Sequence, residues 1–313
     1  MSVGQNIFEK NKIYLSSCLD KMKLLDDNSV DLIVADPPYF KVVNEKWDYE
    51  WKTESEYINW CLEWMEEASR VLRFGGTFYL FGYFRTLALL VPHIDKLGLD
   101  LRQQILVDKG MRAVSGRATK KYKMFPNTTE SILFMTKENR TFIKPFLKEQ
   151  QLKVELTSKQ INEALGVKSN GGGMWSIYTG KNICEQFPTK ELWDKLQNIL
   201  DFDIKYESVA QTFNQPMGFT DIWRDIDFYK EKRIHPTQKP LPLIERLVLA
   251  SSNENDLVLD PFAGSCSTAI ACIKTKREWI MIEKEEQYYN LSLKRVGDFL
   301  NSFSHETSNE DEK

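Results

Sequence analysis

Val30-Asp31-Leu32-Ile33-Val34-Ala35-Asp36-Pro37-Pro38-Tyr39 is the stretch from which the rest of the chain is read. Its first six residues form a short apolar run of the kind found in a buried parallel strand. The next four stand where that strand ends, and in open α/β sheets that edge holds ligands. Asp36 supplies an acceptor. The two prolines fix their own φ and bias the residue before them towards an extended conformation, so the backbone carbonyls here point in fixed directions. Tyr39 adds a flat aromatic face. Acceptors beside a stacking ring suit a planar base that presents an exocyclic NH2. Alone, the tetrapeptide is weak evidence, because Pro-Pro after a strand is usually just a turn.

A second segment weighs against the plain turn. Leu257-Val258-Leu259 is another short apolar run, and Asp260-Pro261-Phe262-Ala263-Gly264-Ser265-Cys266-Ser267-Thr268 follows it. Ala269-Ile270-Ala271-Cys272-Ile273 then has helical composition. Strand, small-residue loop and helix in that order let a ligand approach the backbone closely at Gly264 and offer it the free N–H groups of a helix start. Glu278 to Glu283 reads as a further strand ending in an acid, the position that binds a ribose diol in nucleotide-binding α/β folds. Each residue also has a plainer reading. Asp260 caps its loop, Phe262 belongs to the core, Glu283 is a surface acid beside Lys284, Glu285 and Glu286, and His235 orders the segment before a helix.

With these segments in place, the chain resembles the S-adenosylmethionine-dependent DNA amino-methyltransferases of the permuted beta group. There the Asp-Pro-Pro-Tyr segment comes first, a target-recognition region follows, and the cofactor loop comes last. His235-Pro236-Thr237-Gln238-Lys239-Pro240, ahead of the apolar Leu243 to Val248, agrees with that order. The resemblance covers roughly residues 10–145 and 220–300. It implies a Rossmann-like α/β methyltransferase fold, with a mostly parallel twisted sheet and helices on both faces, plus a helical insert. It further implies that Asp260, Pro261, Phe262, Ala263, Gly264 and Ser265 frame S-adenosylmethionine and that Glu283 holds its ribose. His235, Thr237 and Lys239 are placed near its methionine end. Two positions depart from the pattern. Cys266 stands where a second glycine is usual, and cysteine adopts positive φ only at a cost. Ser17 stands where an acid is frequent, just before Cys18.

Composition bounds these readings. The chain has 313 residues, 42% hydrophobic, 12% aromatic and 28% charged, which suits a soluble globular protein with an ample core. There is no apolar run long enough to span a bilayer and no signal-peptide layout, so a cytoplasmic protein is expected, with no membrane partner, and the resemblance implies a bacterial, archaeal or phage origin. Five scattered cysteines and three histidines point away from a disulfide framework and from a metal site. A net charge of −3 conceals a basic stretch. Residues 102–125 hold Arg102, Lys109, Arg112, Arg117, Lys120, Lys121 and Lys123 against the single acid Asp108. A stretch of this kind, with glycines among the charges, tracks phosphates, although a solvated loop has the same composition.

Strand and helix alternate along most of the chain, as in a doubly wound sheet. Thr53 and Glu56 mark a capping box, followed by an amphipathic helix carrying Trp60 and Trp64 on one face and ending at Gly75-Gly76. Both tryptophans read as core. Residues 151–225 break the alternation. Thr157 to Leu165 reads as a helix, and the polar, glycine-rich run after Gly166 loosely suggests a helix-turn-helix. The expected organisation is therefore a discontinuous catalytic domain, 1–150 and 226–300, a target-recognition insert, 151–225, and a disordered acidic tail, 301–313. In the insert Lys168, Ser169 and Asn170 are candidate DNA contacts, beside Lys109, Arg112, Arg117, Lys120 and Lys121 of the basic stretch.

The implied chemistry is methyl transfer to an extruded base in double-stranded DNA. The base stacks on Tyr39, and its amine donates to Asp36 and to the Pro37 carbonyl, with Pro38 fixing the turn. Aspartate at the first motif position is associated in this family with adenine N6, and serine with cytosine N4. A cytosine-N4 enzyme is the alternative, and a DNA-binding module of the same fold that has lost methyl transfer is the second. A cognate restriction endonuclease and a second copy of the chain are possible partners. All of this requires Tyr39 and Gly264 to face one cavity.

Overall fold

The computed structural model describes residues 9–41, 49–114, 125–166, 173–180, 186–214, 218–231, 233–235 and 238–310. Strand β1 (Lys12–Leu15) and helix α1 (Cys18–Met22) lead to β2 (Val30–Ala35), the strand before Asp36. Helix α2 (Glu54–Val71) begins at Thr53, whose side chain accepts from Glu56 N at 3.2 Å. Glu56 reaches back to Lys52 N at 2.9 Å, one residue before the cap, so the box is present in a slipped form. The helix stops at Val71 rather than at Gly75-Gly76. Both glycines lie inside β3 (Leu72–Gly82), where the register with β2 shifts. Gly75 takes φ +74°, and a Cβ there would lie 2.5 Å from the Val209 carbonyl oxygen. The chain returning from the insert thus crosses β3 backbone to backbone, and glycine is required at the crossing. Arg73 fixes the same crossing, donating to Asp31 at 2.7 Å and to the Ala210 carbonyl at 2.9 Å.

Helix α3 (Phe84–Leu90) gives way to two 3-10 turns, and Gly98 leads into β4 (Leu99–Asp108). Strand β5 (Thr129–Lys137) follows, then α4 (Arg140–Lys153), α5 (Ser158–Ala164), α6 (Gly173–Tyr178), α7 (Lys190–Leu200) and the short β6 (Ile222–Trp223). The last part contains α8 (Leu241–Ser251), β7 (Leu257–Asp260), α9 (Ser267–Thr275), β8 (Glu278–Glu283) and α10 (Glu286–Glu310).

Among the described residues eight strands form one sheet in the order β1-β8-β7-β2-β3-β5-β4-β6. Pairing is parallel from β1 through β3 and between β4 and β6, and antiparallel at both joints of β5. The α/β fold expected from the sequence is the one observed. Alternate residues of the strands enter two cores. Leu32, Val34, Tyr79 and Phe81 meet Leu243, Leu247, Ala269 and Val296 on one face. Ile33, Ala35, Phe78 and Leu80 meet Met22, Trp64, Met65 and Leu87 on the other. Helices therefore cover both faces.

From β2 the chain proceeds to one side of the sheet, and from β7 to the other. The two strands are parallel neighbours, with Leu32 opposite Val258 and Ile33 opposite Leu259. This is the switch point of the topology, where a crevice opens beyond the carboxyl ends of the strands. The insert has its own core of Ile143, Leu147, Ile161, Trp175, Trp193, Leu196 and Val209. That core begins in α4, ahead of residue 151, and Trp223 already belongs to the main sheet. The structural unit is thus shifted towards the N-terminus relative to the 151–225 expected from sequence. A second correction concerns the tail. The last helix continues through Glu310, where disorder was expected from residue 301. A helix already nucleated on the core extends at low cost per residue. No helix among the described residues is long and apolar enough to cross a membrane.

Candidate active site

One cavity lies beyond the ends of β2 and β7. Asp36, Pro37, Pro38 and Tyr39 line it from β2, and Asp260 to Ser265 line it from β7. Glu283, His235 and Lys239, also expected from sequence, line it too, and Trp51, Trp60 and Tyr288 join them. The two loops come from adjacent parallel strands, which is why segments so distant in sequence meet.

The tetrapeptide is held by charges. Lys239 Nζ donates to Asp36 Oδ2 at 2.6 Å, and the Tyr39 hydroxyl donates towards Asp36 Oδ1 at 2.8 Å. The same hydroxyl lies 3.0 Å from Glu130 Oε1, and Lys109 Nζ donates to Glu130 Oε2 at 3.2 Å. Lys239 is 3.7 Å from Glu130 as well. Tyr57 of α2 donates to the Pro38 carbonyl at 2.8 Å, fixing the end of the turn. The Tyr83 ring meets the Tyr39 ring edge-on at 5.2 Å. Burial pushes the Asp36 carboxyl up, against the pull of Lys239. Burial and the two carboxylates hold the Tyr39 hydroxyl well above its ordinary range, so it is a permanent donor. Burial alone would lower Lys239, but Asp36 and Glu130 outweigh it and keep the ammonium charged. Burial likewise opposes ionisation of Glu130, and the two lysines override it.

The second loop is built from backbone donors and buried acids. Asp260 Oδ1 accepts from Phe262 N at 2.9 Å and Oδ2 from Thr268 Oγ1 at 2.6 Å. Glu283 accepts from Gly264 N and from Glu285 N, each at 2.8 Å. Helix α10 pins the loop from outside, with Ser292 donating to the Gly264 carbonyl at 2.5 Å and Arg295 to the Ser265 carbonyl at 2.7 Å. Gly264 has φ +51°, and a Cβ there would face the His235 ring at 3.6 Å. His235 packs edge-on against Tyr288 at 4.1 Å. Burial, then the Lys239 ammonium, pushes it down to about 4, so its ring is neutral at physiological pH. Cys266 is fully buried with φ +57°, which is the left-handed conformation a glycine would take there. The backbone shape is kept at a cost of about 1–2 kcal/mol. Ser17 caps α1, accepting from Asp20 N at 3.1 Å. Its hydroxyl also donates to Asp20 Oδ2 at 2.7 Å, so an acid one turn on sits beside it.

Burial pushes the Asp260 carboxyl up to about 7 from 3.8, despite its two hydrogen-bond donors. A carboxyl raised in the folded state contributes its full stability below pH 3.8 and loses it as pH rises through about 7. Asp260→Asn keeps the shape and removes the titration. The cofactor-free variant is therefore expected to match the wild type near pH 4 and to exceed it by about 2–4 kcal/mol at pH 8. Urea midpoints at the two pH values check this. An equal difference at both pH values would contradict it.

Several expectations need correction. Lys239, expected at the cofactor's methionine end, lines the cavity with its ammonium on Asp36. Lys109 was read as a phosphate contact, but its side chain is only 20% exposed and pairs with Glu130. Trp60 was read as core beside Trp64. Trp64 is core, whereas Trp60 lines the cavity, its ring tilted 42° to that of Trp51 at 4.5 Å and 5.8 Å from Phe262. Phe262 does both, packing edge-on against Trp64 at 4.9 Å and forming cavity wall. Glu130 is not among the residues expected from the sequence, although an acid opening the apolar run Ser131 to Met135 is a readable anomaly. Arg112 lies exposed in the 3-10 turn Met111–Val114. Arg117, Lys120, Lys121, Lys168, Ser169, Asn170 and Thr237 lie outside the described residues.

The sequence matches a family model described as DNA methylase over residues 30–294. It is 26% identical to Type II methyltransferase M2.MboI of Moraxella bovis over 305 residues, covering 92% of this chain and 88% of that one. It is also 26% identical to DNA adenine methyltransferase YhdJ of Escherichia coli (strain K12), covering 92% and 83%. The fold is similar to that of the M1.HpyAVI–SAM complex, with a TM-score of 0.52 at 21% identity, covering 91% of this chain and 98% of that one.

Proposed function

The chain belongs to the DNA methylase family that acts on N6 and N4 amino groups, and from that premise we propose that it methylates N6 of adenine in double-stranded DNA. The observation that carries this reading is the shared cavity, with Asp36 to Tyr39 on one wall and Asp260 to Gly264 on the other. The similarity to an enzyme named as a DNA adenine methyltransferase supports the choice of base, as does aspartate at position 36.

The cavity fits S-adenosylmethionine. Its walls combine buried acids, which suit a cation, with the rings of Phe262, Trp51 and Trp60, which suit a purine, and Glu283 presents acceptors for a diol. Gly264, lacking a Cβ, leaves the approach to the loop open. When bound, the cofactor supplies a methyl group made electrophilic by its sulfonium.

The protein's own residues prepare the other partner. The target base has to leave the duplex, and the Tyr39 ring offers it a stacking face. The exocyclic amine is a weak nucleophile because its lone pair is delocalised into the ring. Donation of its two N–H bonds to Asp36 and to the Pro37 carbonyl favours a pyramidal nitrogen and frees that pair. That pair would be aimed at the methyl group of a cofactor held by Asp260, Gly264 and Glu283, whose sulfur would keep the electrons of the S–C bond. The surplus proton on nitrogen passes to Asp36 or to water. Positioning and fixed dipoles supply most of the acceleration.

The insert carries target recognition, from its place between the two halves of the catalytic unit, and the basic stretch beside it tracks phosphates. A DNA substrate supports a cytoplasmic enzyme, and a cognate endonuclease and a second copy of the chain are its candidate partners. Sequencing of modified bases in DNA from cells expressing the chain tests the reading. N6-methyladenine within a fixed sequence motif is expected. N4-methylcytosine, or unmodified DNA from cells containing folded protein, would contradict it.

A further inference from the structure

The Tyr39 hydroxyl has one proton and two carboxylate oxygens within reach, Asp36 Oδ1 at 2.8 Å and Glu130 Oε1 at 3.0 Å. It can donate to only one of them at a time. While it donates to Asp36, and Lys239 holds Asp36 Oδ2 at 2.6 Å, both oxygens of that carboxylate are engaged. Each oxygen keeps a further lone pair, but a donor already on Oδ1 weakens it as the acceptor for an arriving amine. Glu130 is itself prepared as an acceptor, because Lys109 holds its other oxygen at 3.2 Å and offsets the repulsion between the two acids. It stands behind the cavity on β5, outside the set of residues that line it.

We propose, resting on the methyl-transfer reading above, that Glu130 is a positioning residue: it takes over the Tyr39 hydroxyl and thereby releases Asp36 Oδ1 to accept from the target amine. Rotation of the hydroxyl about its C–O bond moves the proton from one carboxylate to the other. No ring or backbone atom has to move. Lys239 stays on Asp36 Oδ2 throughout and fixes the orientation of that carboxylate. Glu130 touches neither the base nor the cofactor, so it acts through Tyr39.

Glu130→Gln removes the charge and keeps the shape. A charge-assisted hydrogen bond of ordinary strength corresponds to about ten- to a hundredfold in rate, so kcat should fall by that factor. The KM for S-adenosylmethionine should stay within about twofold, because no ground-state contact to the cofactor is lost. Tyr39→Phe removes the hydroxyl that has to be moved. In that background Glu130→Gln should therefore cost several times less than in the wild type, a coupling that a purely structural role would not produce. Methyl transfer from labelled donor to genomic DNA of a host without DNA methylation measures all four proteins. Should Glu130→Gln not fold, Glu130→Asp retains the charge, draws the acceptor back from Tyr39, and should show the same separation of kcat from KM. Wild-type kcat in the position-130 variant, or an equal loss in both backgrounds, overturns the proposal while wild-type activity upholds the underlying reading. An inert wild type instead overturns that reading.

Discussion

Asp36→Ala is expected to lose methyl transfer by about 10²–10³-fold or more while still binding cofactor. The substitution removes the acceptor that draws on the amine N–H and leaves the donor loop intact, since Asp260, Gly264 and Glu283 make their hydrogen bonds to one another and to backbone, without Asp36. The fold should survive, because Lys239 keeps Glu130 3.7 Å away as a counter-charge. Asp36→Asn retains one acceptor oxygen and should fall between alanine and the wild type. Transfer of label from S-adenosylmethionine to DNA gives the rate, and calorimetry gives cofactor affinity. Asp36→Ala transferring at close to the wild-type rate would remove this residue from the chemistry.

Lys239→Met has the largest expected effect on stability. It keeps the length of the side chain and deletes the cation shared by two carboxylates that are 18% and 10% exposed. Removing one partner from a buried charge cluster costs about 3–5 kcal/mol, because the groups left behind remain desolvated. In the wild type the Lys239 pKa is raised, so its contribution is fully present below the ordinary lysine value and is lost only as pH rises beyond it. In the variant Asp36 and Glu130 face each other with Lys109 as the remaining partner among the described residues, and the simplest relief is uptake of a proton by one of them. The loss should accordingly be greatest at pH 8 and shrink towards pH 5. Urea midpoints with an unchanged m-value measure it. A variant as stable as the wild type at pH 8 would show that the cluster is held by something other than Lys239.

What could be read in the sequence was local. The apolar run ending at Asp36 and the strand, loop and helix around Gly264 each lie within one stretch of chain, and both fold as their composition indicates. Their meeting was readable only through motif order. The charges behind the tetrapeptide were not legible. Glu130 lies 91 residues from Tyr39, and the contact exists because β5 is inserted antiparallel beside β3, a pairing that no residue pattern specifies. Lys109 belonged to a basic run, and membership of that run concealed its burial. Trp60 and Trp64 share one helical face, so periodicity could not show which of them ends at the cavity. Helix α4 carries Pro145 in its interior, which weakens a helical reading although its buried face packs well. Gly75-Gly76 looked like a helix stop because the crossing of the returning chain at Val209 is a tertiary contact.

A crystal structure of the protein with S-adenosylmethionine tests the central claim most directly. The cofactor is expected against Phe262, with its ribose hydroxyls on Glu283 and its sulfonium methyl turned towards Asp36 and the Pro37 carbonyl. A cofactor bound away from this crevice, for instance in the apolar cavity between Phe134, Phe213 and Trp223, would contradict it.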